Sequence, residues 1–503
     1  MIAALILLFI PDEYKQLTRY IALAGAASSF GLAIWIAKMV LALGPAKFNL
    51  IERYEIVPSL GIEYIVACDG WSAALLLLTG VIVFAGVCAS WGLEDRPREF
   101  FIYLLLLTGG VYGVFVSQDL FVFFLFYEIA VLPMYLLIGI WGSSGGAVDG
   151  VGPFGWAFRM LDMGGKEYAA MKLTLMLLVG SAFILAAMMA MYWDLEKTGV
   201  ATFNMWVMQG HEFPRTLQLV AFPLLWIGFG TLGGLWPFHT WSPDGHASAP
   251  TAVSMLHAGV LMKLGAFGVI RVGMMLLPQG ALDWAVVVGA VAVVNVVYGA
   301  FCAMNQKDMK YVVAYSSVSH MGVILLGAAT LTQNGWNGAI FQMVAHGVMT
   351  GMFFALIGLV YGRTHDRWVP NMGGFAKTMP LAAGFFTLAA MSSLGMPGTA
   401  GFVAEFLVFL GAWEAGQVVW AIAGGVGAFV TAVYVLKAVR DIFWGPGPPE
   451  KFKDLPDVTG YEHIALWTLG FVIVLLGLWP RVVLDLIDPA TTPYLQLITG
   501  VAS

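Results

Sequence analysis

The chain has 503 residues, 60% of them hydrophobic and 11% charged, with a formal net charge of −6 and a mean hydropathy of +0.84. A soluble domain carries about 25% charged residues, so the composition excludes a soluble enzyme and predicts an all-α polytopic membrane protein. The three cysteines, Cys68, Cys88 and Cys302, are scattered without a CxxC, which excludes an iron–sulfur or zinc cluster held by this chain alone.

A spanning helix needs about 20 apolar residues, and on that rule hydropathy predicts about fourteen membrane segments. The first, 1–10, is too short to span alone and lacks the basic start and cleavage site of a signal peptide. Spans follow at 18–43, 70–91, 98–117, 119–142 and 168–193. Next come 217–237, 250–277, 283–304, 309–331, 335–361, 380–412, 417–444 and 462–484. The longest polar interruption, 143–167, is Gly-rich, and no linker separates domains. With the N-terminus placed outside, 16 Lys and Arg fall in inside loops and 6 outside. The positive-inside rule therefore predicts both termini on the outer, periplasmic side.

Two segments carry breakers at their middles: Gly233-Gly234-Leu235-Trp236-Pro237, running into Ser242-Pro243-Asp244-Gly245, and Gly395-Met396-Pro397-Gly398. Proline removes a backbone donor, and unpaired backbone at membrane depth survives only inside protein or beside a wet cavity. One interrupted helix in each half is the mark of inverted repeats. The chain thus reads as N-terminal helices over 1–97, a five-helix repeat over 98–277 broken near 232–245, a second over 283–444 broken near 395–401, and a C-terminal helix within 445–503.

Three isolated charges interrupt this apolar background: Glu128, Lys263 and Glu405. Each costs roughly 2.5–3.5 kcal/mol near the bilayer centre even on the mildest scale, which points to a pathway for ions or protons. Pro133, five residues after Glu128, leaves the Ile129 carbonyl without its helical partner and predicts a polar pocket there; the bland alternative is a Glu bridging two helices. Small residues flank Lys263, so its amine is expected to stay buried, either exchanging protons or pairing statically with a carboxylate. Arg271 reads as an interface anchor. His320, near Ser316, Ser317 and Ser319, and His346, near Gln342 and Thr350, could form a relay with hydroxyl neighbours, or simple interhelical hydrogen bonds. His239, His246 and His257 flank the first break, but no acidic or cysteine ligand pattern accompanies them, which argues against a metal site.

Several of these stretches resemble the antiporter-like subunits of respiratory complex I. They are Phe126-Tyr127-Glu128, Pro237-Phe238-His239-Thr240-Trp241-Ser242-Pro243-Asp244-Gly245-His246 and Ala249-Pro250-Thr251-Ala252-Val253-Ser254. Tyr315-Ser316-Ser317-Val318-Ser319-His320-Met321-Gly322 and Gly401-Phe402-Val403-Ala404-Glu405-Phe406 continue the likeness, which covers about 95–445 in order. Within the family the wording is most similar to the M-type members, the mitochondrial subunit 4 equivalents. The resemblance implies a non-redox, proton-translocating membrane-arm subunit of NADH:quinone oxidoreductase with no active site of its own. Glu128, Lys263, His320, His346 and Glu405 would carry the proton path. It also implies sister antiporter-like subunits on both sides, a lipid surround, no nucleic acid, and a bacterial plasma membrane. NADH, flavin, iron–sulfur clusters and quinone would belong to partner subunits, with no cofactor bound by this chain. A multisubunit sodium/proton antiporter or a membrane-bound hydrogenase subunit is the alternative within the superfamily; a free-standing solute transporter is the alternative outside it.

One position departs from the family pattern. A lysine is expected about five residues before Pro237, and Leu232 stands there. Glu128 is therefore expected to have no amine within about 4–6 Å, unless His239 or His257 substitutes.

Lys263 offers a direct test. If its amine must release a proton, Lys263→Arg is expected to impair proton transport in sealed vesicles about as severely as Lys263→Ala, because guanidinium keeps its proton at a pKa above about 12. Full transport by the Arg variant would reduce Lys263 to a fixed counter-charge.

Overall fold

The computed structural model describes residues 1–144 and 165–500, so most of the interruption at 143–167 lies outside the described residues. A short helix α1 (Ile2–Leu7) and α2 (Lys15–Leu43) precede an antiparallel hairpin, β1 (Asn49–Val57) and β2 (Ile62–Cys68). Then follow α3 (Gly70–Ala89), α4 (Pro97–Val116), α5 (Leu120–Trp141), α6 (Lys166–Glu196), α7 (Arg215–Leu232) and α8 (Trp241–Ser248). Next are α9 (Thr251–Met274), α10 (Pro278–Asn305), α11 (Met309–Ala329) and α12 (Gln333–Thr364). The chain ends with α13 (Pro380–Ser393), α14 (Ala400–Glu414), α15 (Val418–Phe443), α16 (Tyr461–Leu478) and α17 (Arg481–Thr499). Among the described residues 12 helices are long and apolar enough to cross a membrane. Adding α13–α14 as one interrupted crossing gives thirteen of the about fourteen segments expected, and α1, with 6 residues, is too short to cross. Asp69, Asp119 and Asp308 begin α3, α5 and α11 by accepting hydrogen bonds from first-turn backbone amides.

The helices form a core and a rim. α9 is buried along its whole length, and α3, α11 and α12 nearly so, whereas α2, α6, α10 and α15 expose much of their apolar surface. Helices polar on one side would suit water; these are apolar all round, as burial in lipid or protein requires. Close approach to α9 depends on small residues: a methyl group at Gly265 would overlap the backbone of Phe229 and Gly233 where α7 ends.

Two of the spans are interrupted. α7 stops at Leu232 and α8 starts at Trp241; α13 stops at Ser393 and α14 starts at Ala400. The first break is repaired from a neighbouring helix. The Asn295 side chain, on α10, accepts from the Trp236 amide at 2.5 Å and donates to the Gly234 carbonyl at 3.1 Å and the Val318 carbonyl at 3.0 Å. Two backbone groups at the break that lipid could not satisfy are thereby paired, and the third bond ties the break to α11.

Two elements were not foreseen. The hairpin adds a small strand pair to the helical class. α17 was missed because a hydropathy window averages away an amphipathic helix. Its buried Val483, Leu486, Ile487, Ala490 and Tyr494 recur at three- and four-residue spacing, placing one face on the bundle. Thr491 on that face accepts from the Trp71 indole at 3.0 Å.

Arg271 is not an interface anchor. It is buried, 2.5 Å from the Asp69 carboxylate, and both bond the Tyr494 hydroxyl, at 2.8 and 2.7 Å. The rings of Phe48, Trp71, Phe267 and Tyr494 surround its guanidinium at 5.0–5.4 Å. The ion pair ties α9 to the start of α3 and to α17. Breaking a buried pair leaves one charge uncompensated, so Arg271→Met is expected to lower stability by about 3–5 kcal/mol. Adding Asp69→Asn should restore most of that loss, read as thermal unfolding in detergent; equal instability of the single and double variants would argue against the pairing.

Candidate functional site

Four of the five sequence-selected residues converge. Lys263, buried on α9, lies just after a π-helical turn, His257–Leu261. Its ammonium donates to the Ala258 carbonyl in that turn and, at 2.6 Å, to His346 Nδ1 on α12. His346 and His320 face each other with ring centroids 5.2 Å apart. His320 Nδ1 is 3.1 Å from the Gln342 amide nitrogen and 3.4 Å from Glu405 Oε1. Its Nε2 is 3.2 Å from the Ser393 hydroxyl.

In space the order is Lys263, His346, His320, Glu405, with the two histidines exchanged relative to the sequence. α9 and α12 supply the first pair; α11 and α14 supply the second. Lys263, His320, His346 and Glu405 are all buried. No carboxylate touches Lys263 among the described residues; its partner is an imidazole. That distinguishes it from a static lysine–carboxylate bridge.

His320 sits at a two-state position. As a neutral ring it can accept at Nδ1 from Gln342 and donate from Nε2 to Ser393. As an imidazolium both nitrogens donate, and Nδ1–H then faces the Glu405 carboxylate.

The hydroxyls expected beside the histidines do something else. Ser317 and Ser319 donate to the Val313 and Val296 carbonyls, and Thr350 to the His346 carbonyl. Ser316 accepts from the Tyr434 hydroxyl at 2.7 Å. Ser393 is the hydroxyl that reaches His320. Its signal was the serine pair immediately before the Gly395-Met396-Pro397 break, a polar spot where a helix opens.

Glu128 stands apart from these four. Its carboxylate accepts from the Ser181 hydroxyl on α6, and it has no ion-pair partner among the described residues. Leu232 is fully buried, so the expected lysine position is filled by packing. Neither His239 nor His257 hydrogen-bonds to Glu128. His239 meets Tyr298 edge-on at 5.1 Å, and His257 stacks on His246 at 3.9 Å. Among the described residues no three His, Cys, Asp or Glu side chains are placed to hold a metal ion.

A second polar cluster lies toward the end of the bundle where most Lys and Arg gather. Asp244 on α8 pairs with Lys172 at 2.7 Å and accepts from Tyr311 at 2.9 Å. Lys310 donates to the Ala249 carbonyl at 2.7 Å, and Arg367 joins the Ala247 carbonyl, at 2.6 Å, to Asp308, at 2.5 Å. Sequence reading placed these cations in loops, but Lys310 and Arg367 are buried.

Comparison with known proteins places this arrangement. A family model described as "NADH:quinone oxidoreductase/Mrp antiporter, TM" matches residues 161–431. A protein of Microcystis aeruginosa named NAD(P)H-quinone oxidoreductase chain 4 2 is 38% identical over 453 residues, 89% of this chain and 78% of that protein. One with the same name from Thermosynechococcus vestitus is 35% identical over 510 residues, covering 99% and 91%. Among solved structures, a chain of respiratory complex I from Thermus thermophilus with bound NADH superposes with a TM-score of 0.86 at 27% identity, covering 99% of this chain and 97% of that one. A chain of the Mrp complex from Dietzia sp. shares the fold, with a TM-score of 0.79 at 21% identity over 96% and 95% of the two chains. The match of more than half the chain, with relatives above 30% identity across most of their length, means that this chain belongs to the NADH:quinone oxidoreductase/Mrp antiporter transmembrane family.

Proposed function

We propose that this chain is a proton-translocating membrane-arm subunit of a complex I-type NADH:quinone oxidoreductase. Protons move along Lys263, His346, His320 and Glu405, with Glu128 as an outlying carboxylate, and the motion is coupled to electron transfer elsewhere in the complex. The observation that carries the reading is the buried line from Lys263 to Glu405, joined by contacts of 2.6 and 3.4 Å and one 5.2 Å ring spacing. A line of titratable groups at membrane depth is costly and serves transport. Relatives of 35–38% identity carry the quinone oxidoreductase name, which favours that assembly over an antiporter complex.

The chain has no active site of its own. NADH, flavin, iron–sulfur clusters and quinone belong to partner subunits, and sister antiporter-like subunits cover the exposed apolar rims of α2, α6 and α15. Two inverted repeats frame the relay. α4–α9 and α10–α15 run in the same order, whole helices followed by one broken and one whole. Asp119 before α5 bridges Asn204 after α6, as Asp308 before α11 bridges Trp368 after α12. The protein sits in a bacterial plasma membrane with its basic end inside and both termini outside.

Glu405→Gln tests the path. The variant complex should assemble in normal amount yet pump protons at about one tenth of the parental rate or less, a barrier increase of at least about 1.4 kcal/mol, with coupled electron transfer falling in step. Near-normal pumping in vesicles by the assembled variant would overturn the reading.

A further inference from the structure

Glu128 is the one member of the site whose surroundings give it neither a counter-charge nor a base. It lies eight residues after Leu120, where α5 starts, which is about 12 Å along the helix axis. That is within a hydrocarbon core about 30 Å thick. Its carboxyl is partly buried, and among the described residues its hydrogen-bond partner is the Ser181 hydroxyl on α6.

The inward side around this pair is neutral. α4 meets α5 through Gly110, against Ala130, and Gly113, against Phe126. α7 meets α6 through Gly228 and Thr231, which lie against Gly180, and the Thr231 hydroxyl is turned to the Ile227 carbonyl of its own helix. Leu232 is fully buried. Tyr127, next to Glu128 in the chain, is also fully buried, and its hydroxyl has no protein partner. No cation among the described residues, Lys263 included, is close enough to act on Glu128.

The outward side is apolar. Residues three and four apart on a helix share a face. Those neighbours of Glu128 are Leu125 and Leu132, and those of Ser181 are Leu178 and Leu185; all four are exposed. One carboxyl and one hydroxyl thus sit inside a collar of leucines, which suits a cover of lipid chains or the apolar side of a partner helix. A buried charge persists where it is paired, and an unpaired one neutralises. Glu405 shows the contrast, since its oxygen is 3.4 Å from a histidine nitrogen that can hold a proton. The Ser181 hydroxyl brings no charge and takes up no proton.

We propose that Glu128 is a resident neutral acid, which keeps its proton in the resting protein while Ser181 donates to its carbonyl oxygen. The first half of the chain then holds a loaded proton donor with no base beside it, and the second half holds the bases. The inference deepens the relay reading at its outlying member, and rests on it for the membrane setting of α5 and α6.

The test is infrared spectroscopy of the whole complex in mild detergent at neutral pH, where an exposed glutamate, with a pKa of about 4.3, is ionised. A protonated carboxyl has a C=O stretch clear of the amide bands. The parent is expected to show such a band and Glu128→Gln to lose it. Ser181→Ala, which removes the donor to the carbonyl oxygen, should move the same band to higher frequency. If no band is lost in assembled Glu128→Gln, the proposal is overturned, and the carboxylate is held ionised by a cation from outside this chain. If Glu128→Gln does not assemble, Ser181→Ala decides, and an unchanged protonated-carboxyl region would overturn the proposal. Neither readout depends on pumping, so a failure of the relay, read from Glu405→Gln, stays distinct from a failure here.

Discussion

Every part of the site depends on one constraint: a backbone amide or carbonyl at membrane depth must find a partner inside the protein. An unbroken helix meets it alone. The two interrupted helices cannot, and the fold around them is arranged to compensate. Asn295 reaches across from α10 to pair two backbone groups at the first break and also bonds the Val318 carbonyl on α11. At the second, Ser393 closes α13 and turns its hydroxyl to His320. Each break is thus tied to a neighbouring helix by a polar side chain.

α9 shows how differently two buried cations can be treated. Arg271 is matched by a carboxylate, a phenol and four aromatic rings, a set that holds its charge permanently. Lys263, eight positions earlier in the sequence, has only a carbonyl and an imidazole. Neither partner carries a formal negative charge. The first arrangement is structural because its charges cancel whatever happens nearby. The second leaves the lysine without a counter-charge among its direct partners.

Much of this was legible from composition and spacing. Apolar length marked the spans, Gly-Pro strings marked both breaks, and isolation in apolar sequence marked Glu128, Lys263 and Glu405. The residues that hold the site together were harder to see. Asn295 is one neutral polar residue in a long apolar run, and only its place opposite Gly234 gives it meaning. Arg271 looked like a surface anchor because Asp69 and Tyr494, its partners, are distant in sequence. Lys310 and Arg367 looked like loop cations because burial at a helix end is set by tertiary packing. α17 was written in helical periodicity, but averaging over a window conceals a helix with one polar face. His246 and His257 were noted as a weak metal candidate, and His257 as a stand-in for the missing lysine, but their stacking cannot be read from spacing.

α9 carries π-helical turns on both sides of Lys263, at His257–Leu261 and Val269–Met274. Each such turn closes its hydrogen bonds one residue later than an α-helix does. Counting residues along α9 is therefore not the same as counting degrees of rotation. A relative with a plain α-helix here would need one residue fewer on each flank to aim its lysine the same way. Alignments that forbid gaps inside buried helices will then slip on both sides of Lys263, and residues equivalent in space will be scored as mismatches. Positions in this helix are better compared by the direction in which their side chains leave the axis than by their rank in the chain.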